Sequence, residues 1–282
     1  MIARITIDGI EYHTDLSSGR SIAIPVNFSG PQPNSYDVPP ARARAYEVGS
    51  FVGDTRSGGS CNFDTVTITP HCNGTHTECV GHIAIDRISI DDILVPAMIP
   101  ATLLSVGVED AIHSNDHYEP AMDIGDRLIT AAALRTALAN AADAKVHPTA
   151  FHQAFVLRTL PNDGSKTVRN YMAQPAPYFS IEAMQLLRDL DVTHLLVDIP
   201  SLDRAFDQGR MAAHHIFWDV EAGSHDVPRA SASRRSVTEM IYVPDDIPDG
   251  RYLIDIQIAP FAADAAPSRP VLYAVTQTSS SI

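Results

Sequence analysis

Polar and apolar positions alternate with period two from Ile2 to Tyr12, interrupted by Asp8-Gly9, and this predicts a hairpin with a tight turn at the front of the chain. The same alternation runs through Thr65 to Thr69, Ile83 to Ile90 and Arg251 to Ala259, while Ala101 to Val106, Ala154 to Leu160 and Val192 to Ile199 are short apolar runs; all read as strands, with Thr238 to Val243 beside them. The Thr65 to Thr69 pattern is that of a half-buried strand leaving a sheet. Helical signals separate some of these. Leu128 to Ala144 is alanine-rich with Thr130 as its N-cap, and Ser180 caps Ile181 to Leu190 with Glu182 favourably placed in the first turn. Strand, helix and strand in that order imply parallel crossovers beside antiparallel hairpins, hence an α/β chain with one mixed sheet.

Between Pro25 and Ser60 the periodicity fails, and Pro, Gly, Asn, Ser and Tyr take over for longer than an ordinary connection. Because this segment delivers the chain to the densest chemistry in the sequence, it is expected to wall a substrate pocket, with Asn27, Phe28, Tyr36 and Arg56 as candidate lining groups. No repeat or linker is evident; residues 1–275 read as one domain, followed by a Ser-rich tail, 276–282, expected to fray.

That chemistry lies in Pro70 to His82, which holds three His, two Cys and one Glu around Gly74. If the chain stays extended, Cys72, His76, Glu78 and His82 share a face and His71 points away. An imidazole and a carboxylate two residues apart, with a third imidazole four further on, can hold a divalent cation and leave one base free. The first ligand is open: parity favours Cys72, whereas His71 would need a bulge near Asn73-Gly74.

Charge and length narrow the function classes. The 282 residues, 45% of them apolar, suffice for a sizeable core. Thirty-four acidic against 20 basic residues give a net charge of -14, which argues against nucleic acid as a partner. No apolar stretch approaches the roughly eighteen residues of a membrane span, and no secretory signal opens the chain. Three cysteines, two of them within the cluster, suit a reducing, cytoplasmic setting.

The run Gly74-Thr75-His76-x-Glu78-x-x-x-His82 resembles the signature of the cyclase family, which includes kynurenine formamidases and isatin hydrolase and whose pattern is His-x-Gly-Thr-His-x-Asp-x-Pro-x-His. Glu78 stands in place of Asp and Val80 in place of Pro, and the first His falls on Cys72 unless one inserted residue lets His71 serve. Asp15-Leu16-Ser17, the Asp198 to Asp203 run and Met211 to Trp218 also resemble family segments, the last with His214 rather than His215 in register.

The resemblance implies a single swivelling β/β/α domain, commonly a homodimer or larger, with a small molecule as substrate. It implies one or two ions of zinc or manganese held by His71 or Cys72, His76, Glu78, His214 and Glu239, with His82 as the base. The chemistry of relatives tips the first ligand to His71. The activity implied is hydrolysis of a non-peptide C–N bond in an aryl formamide or lactam; the departures at Cys72 and Val80 motivate an alternative, a relative that binds a small molecule without turnover.

Overall fold

Tight turning at Asp8-Gly9, both at positive φ, joins strands β1 (Ile2–Ile7) and β2 (Ile10–Asp15) in register. The computed structural model describes residues 1–141 and 149–278. Eight further strands build the main sheet: β3 (His76–Cys79), β4 (Ile99–Gly107), β5 (Ala154–Leu160), β6 (His194–Val197), β7 (Ser236–Glu239), β8 (Gly250–Ile258), β9 (Ala265–Gln277) and the two-residue strand Arg20–Ser21, which pairs with β9. Central strands β4, β5, β6 and β7 run parallel, as the crossovers require, and β8 and β3 flank them antiparallel. Strand β9 pairs with β8 along one part of its length and with β3 along another, so the mixed sheet closes into a barrel. Its far end carries the β1–β2 hairpin.

The central strands bury both faces, which explains why their sequences read as apolar runs. Ala101, Leu103, Ala154, Val156 and Leu196 point into the core that contains Ile254 and Leu272 from β8 and β9. The alternate residues Leu104, Val106, Phe155, Leu157, Leu195 and Val197 meet helices α2 (Ala131–Ala141), α3 (Ile181–Asp189) and α4 (Ala212–Trp218) through Leu134, Leu187, Phe217 and Trp218. The caps form as expected: Thr130 Oγ1 accepts from Ala133 N and Ser180 Oγ from Ala183 N. The α/β, single mixed-sheet architecture expected from the sequence is therefore present.

Several local expectations are corrected. Residues 65–69 do not leave the main sheet: Asp64–Thr67 is an exposed strand paired with Arg42–Ala45 in a separate ribbon, with Val66 52% exposed. Extended parity fails across the cluster because Thr69-Pro70 starts a helical turn, α1 (Pro70–Asn73), proline being well suited to a first helical position. Ile83 to Ile90 forms no strand. Ile83, Ile88 and Ile90 dip into the core from turns while Ile85 is 78% exposed, and Ser89 caps a helical turn at Ile90–Ile93. Leu128 and Ile129 belong to a short strand that precedes the helix, and positions 142–144 of the expected helix lie outside the described residues. Thr276 and Gln277, expected to fray, pair with His13 and Tyr12; the rest of the expected tail from 279 lies outside the described residues. The Pro25 to Ser60 segment contains the Arg42–Ala45 strand and the small ribbon Glu47–Val48 with Phe51–Val52.

Candidate metal centre

Period two places His76 and Glu78 on one face of β3, and the antiparallel register sets Glu239 of β7 directly opposite His76. Helix α4 lies over that face and brings His214, whose Nε2 is 3.1 Å from Glu78 Oε1 and 3.7 Å from Glu239 Oε1. The α1 turn aims His71 inward, with Nδ1 2.8 Å from Glu78 Oε2. His82 ends the 3-10 turn Val80–His82 and stacks on His71, ring centroids 4.3 Å apart. Three sets of donor atoms lie within 4.8 Å of one another, namely His71, His76 and Glu78; Glu78, His214 and Glu239; and, nearer the rim, His71, His82 and Asp264, so Glu78 is common to the two inner sets and His71 joins the outer one to them.

The chemistry of the donors fits a cation. His76 is fully buried and donates Nδ1–H to the Gly74 carbonyl at 3.0 Å, which leaves Nε2 as a bare lone pair. That lone pair has no hydrogen-bond partner and faces Glu239 Oε2 at 3.3 Å and Glu78 Oε2 at 4.0 Å. A buried lone pair against two carboxylates is repulsive until a positive charge stands between them, and a neutral imidazole with carboxylates is a donor set suited to a divalent ion. His214 is held in the same posture. Asp203 Oδ2 accepts from its Nδ1 at 2.5 Å, and the same carboxylate accepts from Ala213 N and His214 N at the start of α4. A carboxylate that fixes the remote nitrogen of a ligating histidine raises its basicity and sets its tautomer.

Without an ion the protons must answer for this crowding. Burial disfavours a charged His71, yet Asp264 and Glu78 outweigh it and push the imidazole up to about 10. Burial likewise opposes charge on His214, and the Asp203 and Glu78 carboxylates nevertheless raise it well above its ordinary value. Glu78, although buried, is held low by His82, His214 and His71, whereas burial and the Glu78 charge raise Glu239.

Of the residues singled out from the sequence, His71, His76, Glu78, His82, His214 and Glu239 converge here. Cys72 is buried beside them, but among the described residues no set of three close donor atoms includes it; burial and then Glu239 push its thiol up to about 11. His215, on the other side of α4, packs 6.3 Å from the His225 ring. Tyr36 lines a cavity with Tyr171, Met172, Tyr178 and Phe206, and Asp203 gives that cavity a wall shared with the centre. The other three expected lining groups stand outside that cavity's lining: Asn27 Oδ1 closes its own turn on Ser29 N, Phe28 is exposed, and Arg56, 89% exposed, forks onto Asp54. The polar groups of Asn27 and Arg56 serve local turns.

Two participants carry weaker signals in the sequence. Asp203 ends the Asp198 to Asp203 run, where its only sequence signal is that family-like segment. Asp264, in the turn before β9, accepts from His71 Nε2 at 2.9 Å and lies 3.5 Å from His82 Nδ1, and nothing in its neighbourhood of Phe261-Ala262-Ala263 marks it.

The model of the family described as Cyclase matches residues 14–204 of this chain. A comparison with curated proteins returned no significant match. Among solved structures, a potential metal-dependent hydrolase with cyclase activity is 14% identical with a TM-score of 0.53, covering 91% of this chain and 98% of its own. An isatin hydrolase bound to the product analogue thioisatinate is 12% identical with a TM-score of 0.59, covering 92% and 93%. Isatin hydrolase A from Ralstonia solanacearum is 13% identical with a TM-score of 0.58, covering 91% and 92%. At such identities the likeness is one of fold.

Proposed function

This chain belongs to the cyclase family, and from that premise we infer that it is a divalent-metal-dependent hydrolase of a small amide, an aryl formamide or a lactam. The observation that carries the reading is the bare, fully buried Nε2 of His76 turned toward Glu78 and Glu239. His71, His76, Glu78, His214 and Glu239 would hold one or two ions, with zinc and manganese the candidates. A bound ion supplies an electrophile for the amide carbonyl and makes water more acidic.

The chain does the rest. Asp203 fixes His214 with Nδ1–H spent on its carboxylate, so that Nε2 faces the centre. Gly74 does the same for His76 through its carbonyl. His82 is the base: with Nδ1 toward Asp264, its Nε2 takes a proton from water and returns it to the leaving nitrogen. The cavity beside the centre, walled by Tyr36, Tyr171, Tyr178 and Phe206, suits a flat aromatic group. Structural neighbours named as isatin hydrolases support the same class. The departures at Cys72 and Val80 motivate the alternative of a relative that binds without turnover; the inward turn of His71 supports the hydrolase.

The test is elemental analysis of protein purified without added metal, followed by a screen of formamides, lactams and lactones. At least one divalent ion per chain and turnover of an amide are expected. Well under one ion per chain with no recovery on reconstitution would sink the reading, and turnover of lactones alone would overturn the amide assignment.

A further inference from the structure

Asp264 is the carboxylate that touches both kinds of histidine. It accepts from His71 Nε2 at 2.9 Å, on the ring edge opposite the nitrogen that faces Glu78 2.8 Å away. The same oxygen, Oδ2, lies 3.5 Å from His82 Nδ1. Its backbone is fixed from several sides. Cys79 N donates to Asp264 O at 3.0 Å, Ala265 stands in register with Glu78, and Ile90 N donates to Ala263 O at 2.9 Å. The Val80–His82 turn comes close because position 81 is glycine: a Cβ there would meet Ile88 O at 2.1 Å and Asp264 Cβ at 3.2 Å. A solvated surface carboxylate would need none of this.

We propose that Asp264 is a positioning residue that sets both the tautomer of the ligand His71 and the orientation of the proton-transferring His82, so that a single carboxylate couples ion affinity to proton transfer. This rests on the metal-dependent reading above. With its proton committed to Asp264, His71 presents Nδ1 as a lone pair toward the centre, the arrangement in which an outer carboxylate raises the basicity of a ligating imidazole. His82, stacked on His71 and packed near His214 and Trp218, has its Nδ1 drawn to the same oxygen, so that Asp264 selects which nitrogen the ring offers to the centre. The two histidines cannot be oriented independently, because Asp264 Oδ2 is common to both.

The experiment compares wild type, Asp264→Asn, Asp264→Glu, His82→Ala and the Asp264→Asn/His82→Ala double variant by zinc affinity in chelator competition and by turnover of the best amide from the screen. Asp264→Asn should lose about 10–100-fold in zinc affinity, the usual scale for an outer-shell partner, and should also lower kcat. Asp264→Glu, which keeps the charge, should recover part of the affinity. In the His82→Ala background, Asp264→Asn should still weaken zinc binding but lower kcat no further, because its effect on turnover runs through His82. Unchanged affinity in Asp264→Asn, or the same kcat loss with and without His82, overturns the proposal while leaving an active metalloenzyme standing. A wild type that binds no zinc overturns the metal-dependent reading itself.

Discussion

His76 and Gly74 are joined by a hydrogen bond of 3.0 Å from imidazole Nδ1–H to carbonyl oxygen, and this bond decides which end of the ring can meet an ion. Through it a local backbone turn is converted into a coordination vector. His76→Ala should therefore lose the ion, whereas His82→Ala, whose partner is Asp264 on the rim, should keep near-normal metal content and lose on the order of a hundredfold or more in turnover. Metal analysis beside kcat separates the two; an emptied site in His82→Ala with a loaded His76→Ala would show the roles reversed.

Ion loading should release protons. In the metal-free protein His71 sits at about 10, above its ordinary value, because Asp264 and Glu78 outweigh the opposing effect of burial. Its proton is therefore bound at neutral pH and must leave before the ring can ligate. Affinity should rise by about tenfold per pH unit for each displaced proton as pH climbs from 6.5 towards 10, then flatten. The same raised value gives the metal-free protein stability that is whole below about 6.5 and is lost as pH rises to about 10. Calorimetric titration in two buffers of different ionisation enthalpy counts the protons, and an affinity flat over this window would contradict the assignment.

His194, on β6 and remote from the ligands in sequence, acts in the opposite direction. Burial pushes it down to about 4, and the neutral ring bonds Ser236 Oγ at 2.8 Å. The unfolded chain takes up this proton near 6.5 and the folded chain only near 4, so the contribution is complete above about 6.5 and falls as pH drops to about 4, by about 3 kcal/mol in all. His194→Asn should be less stable than wild type at pH 7, with the gap narrowing at pH 4.5 in urea unfolding. A constant gap would mean that the ring does not titrate in this way.

Lys166 and Asp198 form a buried pair at 2.7 Å, with Thr159 bonding both. Lys166→Met strands a carboxylate that burial already raises and should cost about 3–5 kcal/mol, whereas Lys166→Met/Asp198→Leu should recover much of the loss. Denaturant midpoints decide it; a double variant no better than the single would remove the stranded charge as the cause.

Much of this candidate centre could be read from the sequence because its donor side chains sit where a local rule operates. His76 and Glu78 share a face through the pleat alone, and Ser180 and Thr130 announce their helices through their own hydroxyls. The His71 or Cys72 ambiguity arose from assuming an extended chain where Thr69-Pro70 starts a turn. Ile83 to Ile90 misled for a related reason, since a loop that drops alternate isoleucines into a core copies the pattern of a strand. Asp264 was beyond such rules: it stands 193 positions from His71 and reaches it only because the barrel closes.

That separation orders events at the ribosome. At about 5–20 residues per second, His71 emerges on the order of ten to forty seconds before Asp264. During that interval β3 lacks β9, the strand that seals the barrel, and the early histidines face solvent or a chaperone without their partner carboxylate. The centre matures with the last strand, so the interval before it is when a nascent chain would be most exposed to capturing the wrong ion.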